Sequence, residues 1–197
     1  MKLTARCLAL AIVSVPFVAM AQTPGSPSAP AETLVSLIQA LQGSWRLNVH
    51  IEPMGPKDKA IDGPGEELWS AGPGNITLIE QEHVPMPGSL SDLMGVIWWD
   101  SRAKRFGGME CNSQMPFTCD LKGALNDITV TWDGKKFQID EIETHGDSHY
   151  VWHESWSQMT ADSFEQNGDV TLADGSTRHL MTAKATRVQK LDHLGGS

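Results

Sequence analysis

Residues 43–52 read Gly-Ser-Trp-Arg-Leu-Asn-Val-His-Ile-Glu, and the order of apolar and polar side chains in this stretch decides the fold. Trp45, Leu47, Val49 and Ile51 alternate with Arg46, Asn48, His50 and Glu52. Successive side chains of an extended chain point to opposite faces, so the alternation puts one row in a core and the other in water. The pattern predicts a half-buried strand. Immediately before it, Leu34, Leu37, Ile38 and Leu41 recur at helical spacing within Ala31 to Leu41, and Gly43 stops the run. One short amphipathic helix is expected there, and no second segment carries a comparable pattern.

After residue 52 the chain breaks into short apolar-rich runs separated by Gly, Pro, Asn and Asp. The runs lie near 66–70, 75–83, 93–100, 104–111, 117–122, 127–133, 136–143, 149–158, 163–172 and 176–188. About ten strands at this spacing predict a sandwich or a barrel. Asp133-Gly134 reads as a two-residue turn that sets Val130 opposite Phe137 and Ile128 opposite Ile139, apolar against apolar. A one-residue slip would undo that match. Asp174-Gly175, read the same way, sets His179 opposite Val170.

The ends of the chain have a different character. Lys2 and Arg6 precede an apolar stretch from Leu8 to Ala19, and Ala19-Met20-Ala21 supplies small residues for a peptidase, so residues 1–21 read as a cleavable signal for export. Residues 22–30 are Pro, Ser, Gly and Ala in the main and are expected to form a disordered leader; 31–190 make one helix-plus-barrel domain, and 191–197 a tail. A periplasmic or secreted location follows. Without Lys2 and Arg6, 13 basic residues face 24 acidic ones, a formal charge of −11. Such a chain is a poor partner for nucleic acid or anionic membranes. Cys111 and Cys119 remain after cleavage, and in an oxidising compartment they are expected to pair as a disulfide.

Gly43-Ser44-Trp45, following a short helix and opening the first strong strand, resembles the G-x-W start of the lipocalins and fatty-acid-binding proteins, the calycins. The layout through about residue 190, with Gly72-Pro73-Gly74 after the second strand, also resembles an uncharacterised lipocalin-like family of secreted bacterial proteins. The resemblance implies a single antiparallel up-and-down β-barrel. It also implies that Trp45 is covered at the closed end by an Arg of the last strand, a part that Arg187 could play. The chain lacks the Thr-Asp-Tyr turn of the lipocalins proper.

Function in such a barrel is to be sought on the inward rows. Trp stands at 45, 69, 98, 99, 132, 152 and 156 against a single Tyr, so flat apolar area is available either to line a cavity or to fill the core. Trp98 and Trp99 are neighbours on a strand, hence one faces in and the other out. Tyr150, Trp152, Glu154 and Trp156 share a face, which sets a carboxylate among aromatics. Inside the barrel Glu154 would orient a ligand or act as an acid; at the mouth it would sit in water or against an Arg. His179 shares its expected face with Met181, Ala183 and Ala185, and could bond a ligand, ligate haem as in some barrels of the superfamily, or be an ordinary rim histidine.

Other chemistries find little support. His145, His149 and His153 recur every fourth residue, but on a strand that spacing is roughly 13 Å, too far to chelate one ion. Met86, Met94, Met109 and Met115 form no compact soft-metal motif. The nucleophile-elbow, phosphate-loop, zinc-helix and dinucleotide signatures are missing. The chain therefore reads as an exported binding protein for an apolar or aromatic small molecule, with Trp98, Tyr150, Trp152, Glu154, Trp156 and His179 as ligand-binding candidates and no metal or cofactor implied. Two rival readings are an enzyme using Glu154 and His179 for proton transfer, and an envelope interaction protein with a packed core.

Overall fold

A computed structural model describes residues 31–53, 55, 57–86, 88–113, 128–145 and 148–194. The helix α1 (Glu32–Leu41) is followed by ten strands: β1 (Gly43–Ile51), β2 (Ile61–Ala71), β3 (Thr77–Met86), β4 (Ser89–Asp100), β5 (Arg105–Asn112), β6 (Ile128–Trp132), β7 (Phe137–His145), β8 (Ser148–Ser157), β9 (Ser163–Thr171) and β10 (Thr177–Val188). The run expected near 117–122 and the signal and leader segments lie outside the described residues.

All ten strands form one antiparallel sheet in the order β5-β4-β3-β2-β1-β10-β9-β8-β7-β6. Each strand pairs with its chain neighbour, and β1 pairs with β10, so the meander curls round on itself. β5 and β6 complete the circuit by packing: a side chain added at Gly108 of β5 would touch Val130 and Ile128 of β6 at 3.3–3.4 Å. The result is a nearly closed up-and-down barrel, mainly β with one helix, which fits a calycin-like fold.

The alternation of β1 carries through as written: Trp45, Leu47, Val49 and Ile51 are buried, while Arg46 and Asn48 are exposed. Leu34, Leu37, Ile38 and Leu41 of α1 bury against the same core, so the helix covers the end of the barrel where β1 begins. Trp45 Nε1 donates to the Leu41 carbonyl at 2.8 Å, satisfying one acceptor that the helix terminus leaves open.

Two turns differ from their sequence reading. The hairpin between β6 and β7 pairs Trp132 with Phe137 and Val130 with Ile139, two residues away from the expected register. Its loop spans 133–136, because the Asp133 carboxylate accepts the N–H groups of Lys135 and Lys136 at 2.8 and 2.7 Å and holds a wider turn. A shift of two leaves every side chain on its expected face, so the apolar pattern could not detect it. Between β9 and β10, Leu172 pairs with Ser176 around Ala173-Asp174-Gly175, with Gly175 at φ 82°. This three-residue loop with a left-handed glycine replaces the expected two-residue turn. It sets His179 opposite Asp169, and a bulge between His179 and Met181 then restores the expected register from Met181 onward.

The chain end is docked as far as Leu194. Leu191 is buried, and Glu66 of β2 accepts the backbone N–H groups of Asp192, His193 and Leu194 at 2.8, 2.8 and 3.1 Å. Burial raises the Glu66 proton affinity, but these three donors outweigh it and leave the carboxyl below its usual range.

Candidate functional site

Inward positions of the barrel fall into two layers. At the helix end, Trp69, Phe137 and Trp156 meet edge to face or tilted, with ring centroids 4.9–6.0 Å apart, and Trp45 packs edge-on against Phe164 at 4.6 Å. The Arg187 guanidinium lies 4.0 Å from the Trp45 ring centroid. Its Nε and Nη1 donate to the carbonyls of Ala161 and Gln42, each at 2.6 Å, tying the helix end to the β8–β9 turn. These aromatics are consumed in closing the barrel.

The next layer is acidic. Glu67 of β2, Glu80 and Glu82 of β3 and Glu154 of β8 are 0, 2, 4 and 5% exposed, and Gln166 of β9 is 0% exposed. Period two explains the grouping: Leu78, Glu80, Glu82 and Val84 occupy one face of β3, and the register sets Glu67 opposite Glu82 and Trp69 opposite Glu80. Gln166 lies opposite Trp156, and Glu154 opposite Gly168, over which Trp152 is folded.

Hydrogen bonds link the layer into one network. Trp156 Nε1 donates to Glu67 Oε1 at 3.0 Å, and Gln166 Nε2 donates to Glu154 Oε1 at 2.8 Å and reaches Glu82 Oε1 at 3.5 Å. Glu67 and Glu80 lie within hydrogen-bonding reach of each other, which requires a proton on one of them. Three fully buried polar atoms find no partner among the described residues: Glu67 Oε2, Gln166 Oε1 and Trp69 Nε1. The Trp69 indole is near enough to Glu67 to lower its proton affinity, without reaching hydrogen-bond geometry.

Burial without a cation dominates the electrostatics. The ion pairs made by Arg46, His50, His83, His153 and His179 lie at the outer surface, and none of them reaches this layer. Desolvation pushes Glu67 up to about 7, against the opposing influence of Glu80, Trp156 and the nearby Trp69 indole. Glu154 rises to about 7 for the same reason, against donors from Gln166 and Trp152. Glu80 and Glu82 are driven well above the carboxylate range by burial first, then by the negative charges around them, Glu110 of β5 included.

Against this geometry the sequence candidates divide. Glu154, Trp152 and Trp156 face the interior together, and Tyr150 shares their face nearer the far end. Trp98 is corrected: it lies on the outer face, flat against Gly107, and Trp99 is the inward member of the pair, edge-on to the buried Phe106 at 5.1 Å. His179 is corrected too. The bulge turns it outward, where Nδ1 meets Asp169 at 2.8 Å and Nε2 meets Thr182 at 2.8 Å. Glu154 and His179 thus stand on opposite sides of the barrel wall, and no proton passes directly between them.

Glu67, Glu80, Glu82 and Gln166 were not singled out by sequence. The available signal was two acids bracketed by Leu78 and Val84 at period two on one strand face. No group of three or more His, Cys, Asp or Glu among the described residues is arranged to hold a metal ion. Two surface clefts, of about 620 and 540 Å³, lie at the helix end beside Trp132 and Arg187 and on the outer face of β1, away from this layer. Cys111 is half-buried on β5 opposite Met94, and Cys119 lies outside the described residues. No described helix is long and apolar enough to cross a membrane.

No protein-family model and no curated protein matches the chain. Among solved structures, the crystal structure of Rv2717c from M. tuberculosis is similar over 81% of this chain and 99% of that one, with a TM-score of 0.50 and 12% identity. That likeness concerns the fold.

Proposed function

We propose that this protein is an exported, lipocalin-like carrier that holds one apolar or aromatic small molecule inside its barrel. The observation that carries the reading is a pair of fully buried polar atoms without a partner, Gln166 Oε1 and Trp69 Nε1, in a layer of acids bordered by aromatic rings. A buried polar group without a partner costs roughly 1–3 kcal/mol, and a bound molecule supplying the missing bonds recovers it. A few convergent polar groups within an apolar lining are the usual make-up of a small-molecule site. Trp152 and Tyr150 provide aromatic surface on the same inward row.

Export rests on the signal at residues 1–21, and an oxidising destination would close the Cys111–Cys119 bond. The surface-interaction reading has less support. The exposed large apolar side chains Ile76, Leu90, Met94, Ile142 and Leu172 are distributed over two turns and strands β4 and β7.

Native mass spectrometry of the protein purified from its own cell envelope tests the proposal. A bound species of roughly a few hundred daltons is expected, a size set by what a barrel of this strand number encloses. Finding only the bare polypeptide, with no thermal stabilisation by fractions of an envelope extract, would sink it. In the same spectrum a non-reduced mass corresponding to two free thiols would exclude the disulfide.

A further inference from the structure

Resting on the carrier reading, we infer that the molecule it holds is an organic cation, a protonated amine on a small apolar or aromatic body, received by Glu67, Glu82 and Glu154. Four carboxyl groups converge in the interior from β2, β3 and β8, and none meets Lys, Arg or His there. The groups that face Glu154 from the packed elements are Gln166 of β9, Glu141 and Ile139 of β7, and Glu82 and Glu67 across the barrel. Every ionisable one among them is an acid. Held largely protonated while the site is empty, they can give up protons to balance an entering positive charge but offer nothing to balance an anion.

The open valences point the same way. Gln166 Oε1 is an acceptor with nothing donating to it, and its side chain is fully buried. Gln166 is oriented by its own amide: Nε2 is engaged by Glu154 and Glu82, which leaves Oε1 as the end available to a donor. An ammonium group has three N–H donors and no acceptor, which matches this arrangement. A bare metal ion fits less well, since the described acids are not gathered to coordinate one. When the cation enters, protons held by the carboxyl cluster leave to solvent, so uptake of positive charge is coupled to proton release.

Isothermal titration calorimetry with three probes of one shape tests the inference on the full mature protein: 2-phenylethylamine, 2-phenylethanol and 3-phenylpropionate. The amine is expected to bind at least about tenfold more tightly than the alcohol, with the anion weakest, and its enthalpy should vary with the ionisation enthalpy of the buffer. Glu154→Gln and Glu82→Gln remove charge while relieving burial of a carboxylate, so both should fold, and each should lower amine affinity about tenfold while leaving the alcohol within about twofold. Equal binding of amine and alcohol overturns the charge assignment and leaves the carrier standing. An anionic or neutral species co-purifying from the envelope does the same. Absence of binding by all three probes, together with a ligand-free native mass, overturns both.

Discussion

The residue whose replacement is most informative is Gly43. Its φ of 141° lies in a region that side-chain-bearing residues rarely adopt, and a Cβ there would overlap the Arg187 guanidinium. The glycine, Trp45 and Arg187 therefore act as one device: the missing side chain admits the guanidinium, which then stacks on the indole and bonds the Gln42 carbonyl. Gly43→Ala is expected to cost more than about 2 kcal/mol in urea unfolding, from backbone strain and displacement of Arg187 together. Arg187→Lys should cost less, because the amine keeps its charge over Trp45 and loses the forked contacts to Ala161 and Gln42. Equal stability of Gly43→Ala and the parent would show that Arg187 moves aside freely.

At the scale of strands, the outward face carries a repeated pairing that no helical or metal-site reading of the histidines anticipates. His50 faces Asp62, His83 faces Asp92, His153 faces Asp140 and His179 faces Asp169, each pair directly opposite in register and joined through Nδ1 at 2.6–2.8 Å. Opposite charges across an antiparallel pair support the sheet when the imidazole is protonated. For His50 the Asp62 hydrogen bond is the largest influence, and it raises the pKa above 6.5. A histidine raised in the folded state adds stability that is complete below its unfolded value and fades as pH rises through the folded one. Nuclear magnetic resonance titration should find the His50 pKa returning toward 6.5 in Asp62→Asn, and an unchanged value would show that the pair is not formed in solution.

Over the whole molecule the buried acids set an unusual dependence on pH. Glu67 and Glu154, at about 7 in the folded barrel, start from 4.5 when free. Between those values the folded state holds more protons than the unfolded one, so stability is greatest near and below pH 4.5 on this account and falls as pH rises to about 7. The ligand-free protein is expected to melt higher at pH 5 than at pH 8, opposite to a protein stabilised by paired carboxylates. Glu154→Gln should raise the melting temperature at pH 8 by roughly 3–6 °C and change it little at pH 5. A loss of stability at pH 8 would mean that the Glu154 charge is already balanced inside.

Much of the architecture was legible in the chain because period-two burial is a local property. The rows of 43–52 and 149–158, and the helix with Leu34, Leu37, Ile38 and Leu41, needed only neighbours in sequence to declare their faces. That Glu154 shares a face with Tyr150, Trp152 and Trp156 followed from the same rule, whereas the choice between the interior and the mouth for that face did not. What local pattern could not carry was any property that depends on register or on a distant strand. A two-residue shift at the 133–136 turn preserves parity, whereas the three-residue loop before Thr177 moves Thr177, Arg178 and His179 by one residue until the bulge before Met181 restores the register. The convergence of Glu67, Glu80, Glu82 and Gln166 exists only once β2, β3 and β9 wrap round a shared interior. Alternation tells which side chains share a face, whereas closure of the sheet decides which faces meet and which carboxylates lose their water.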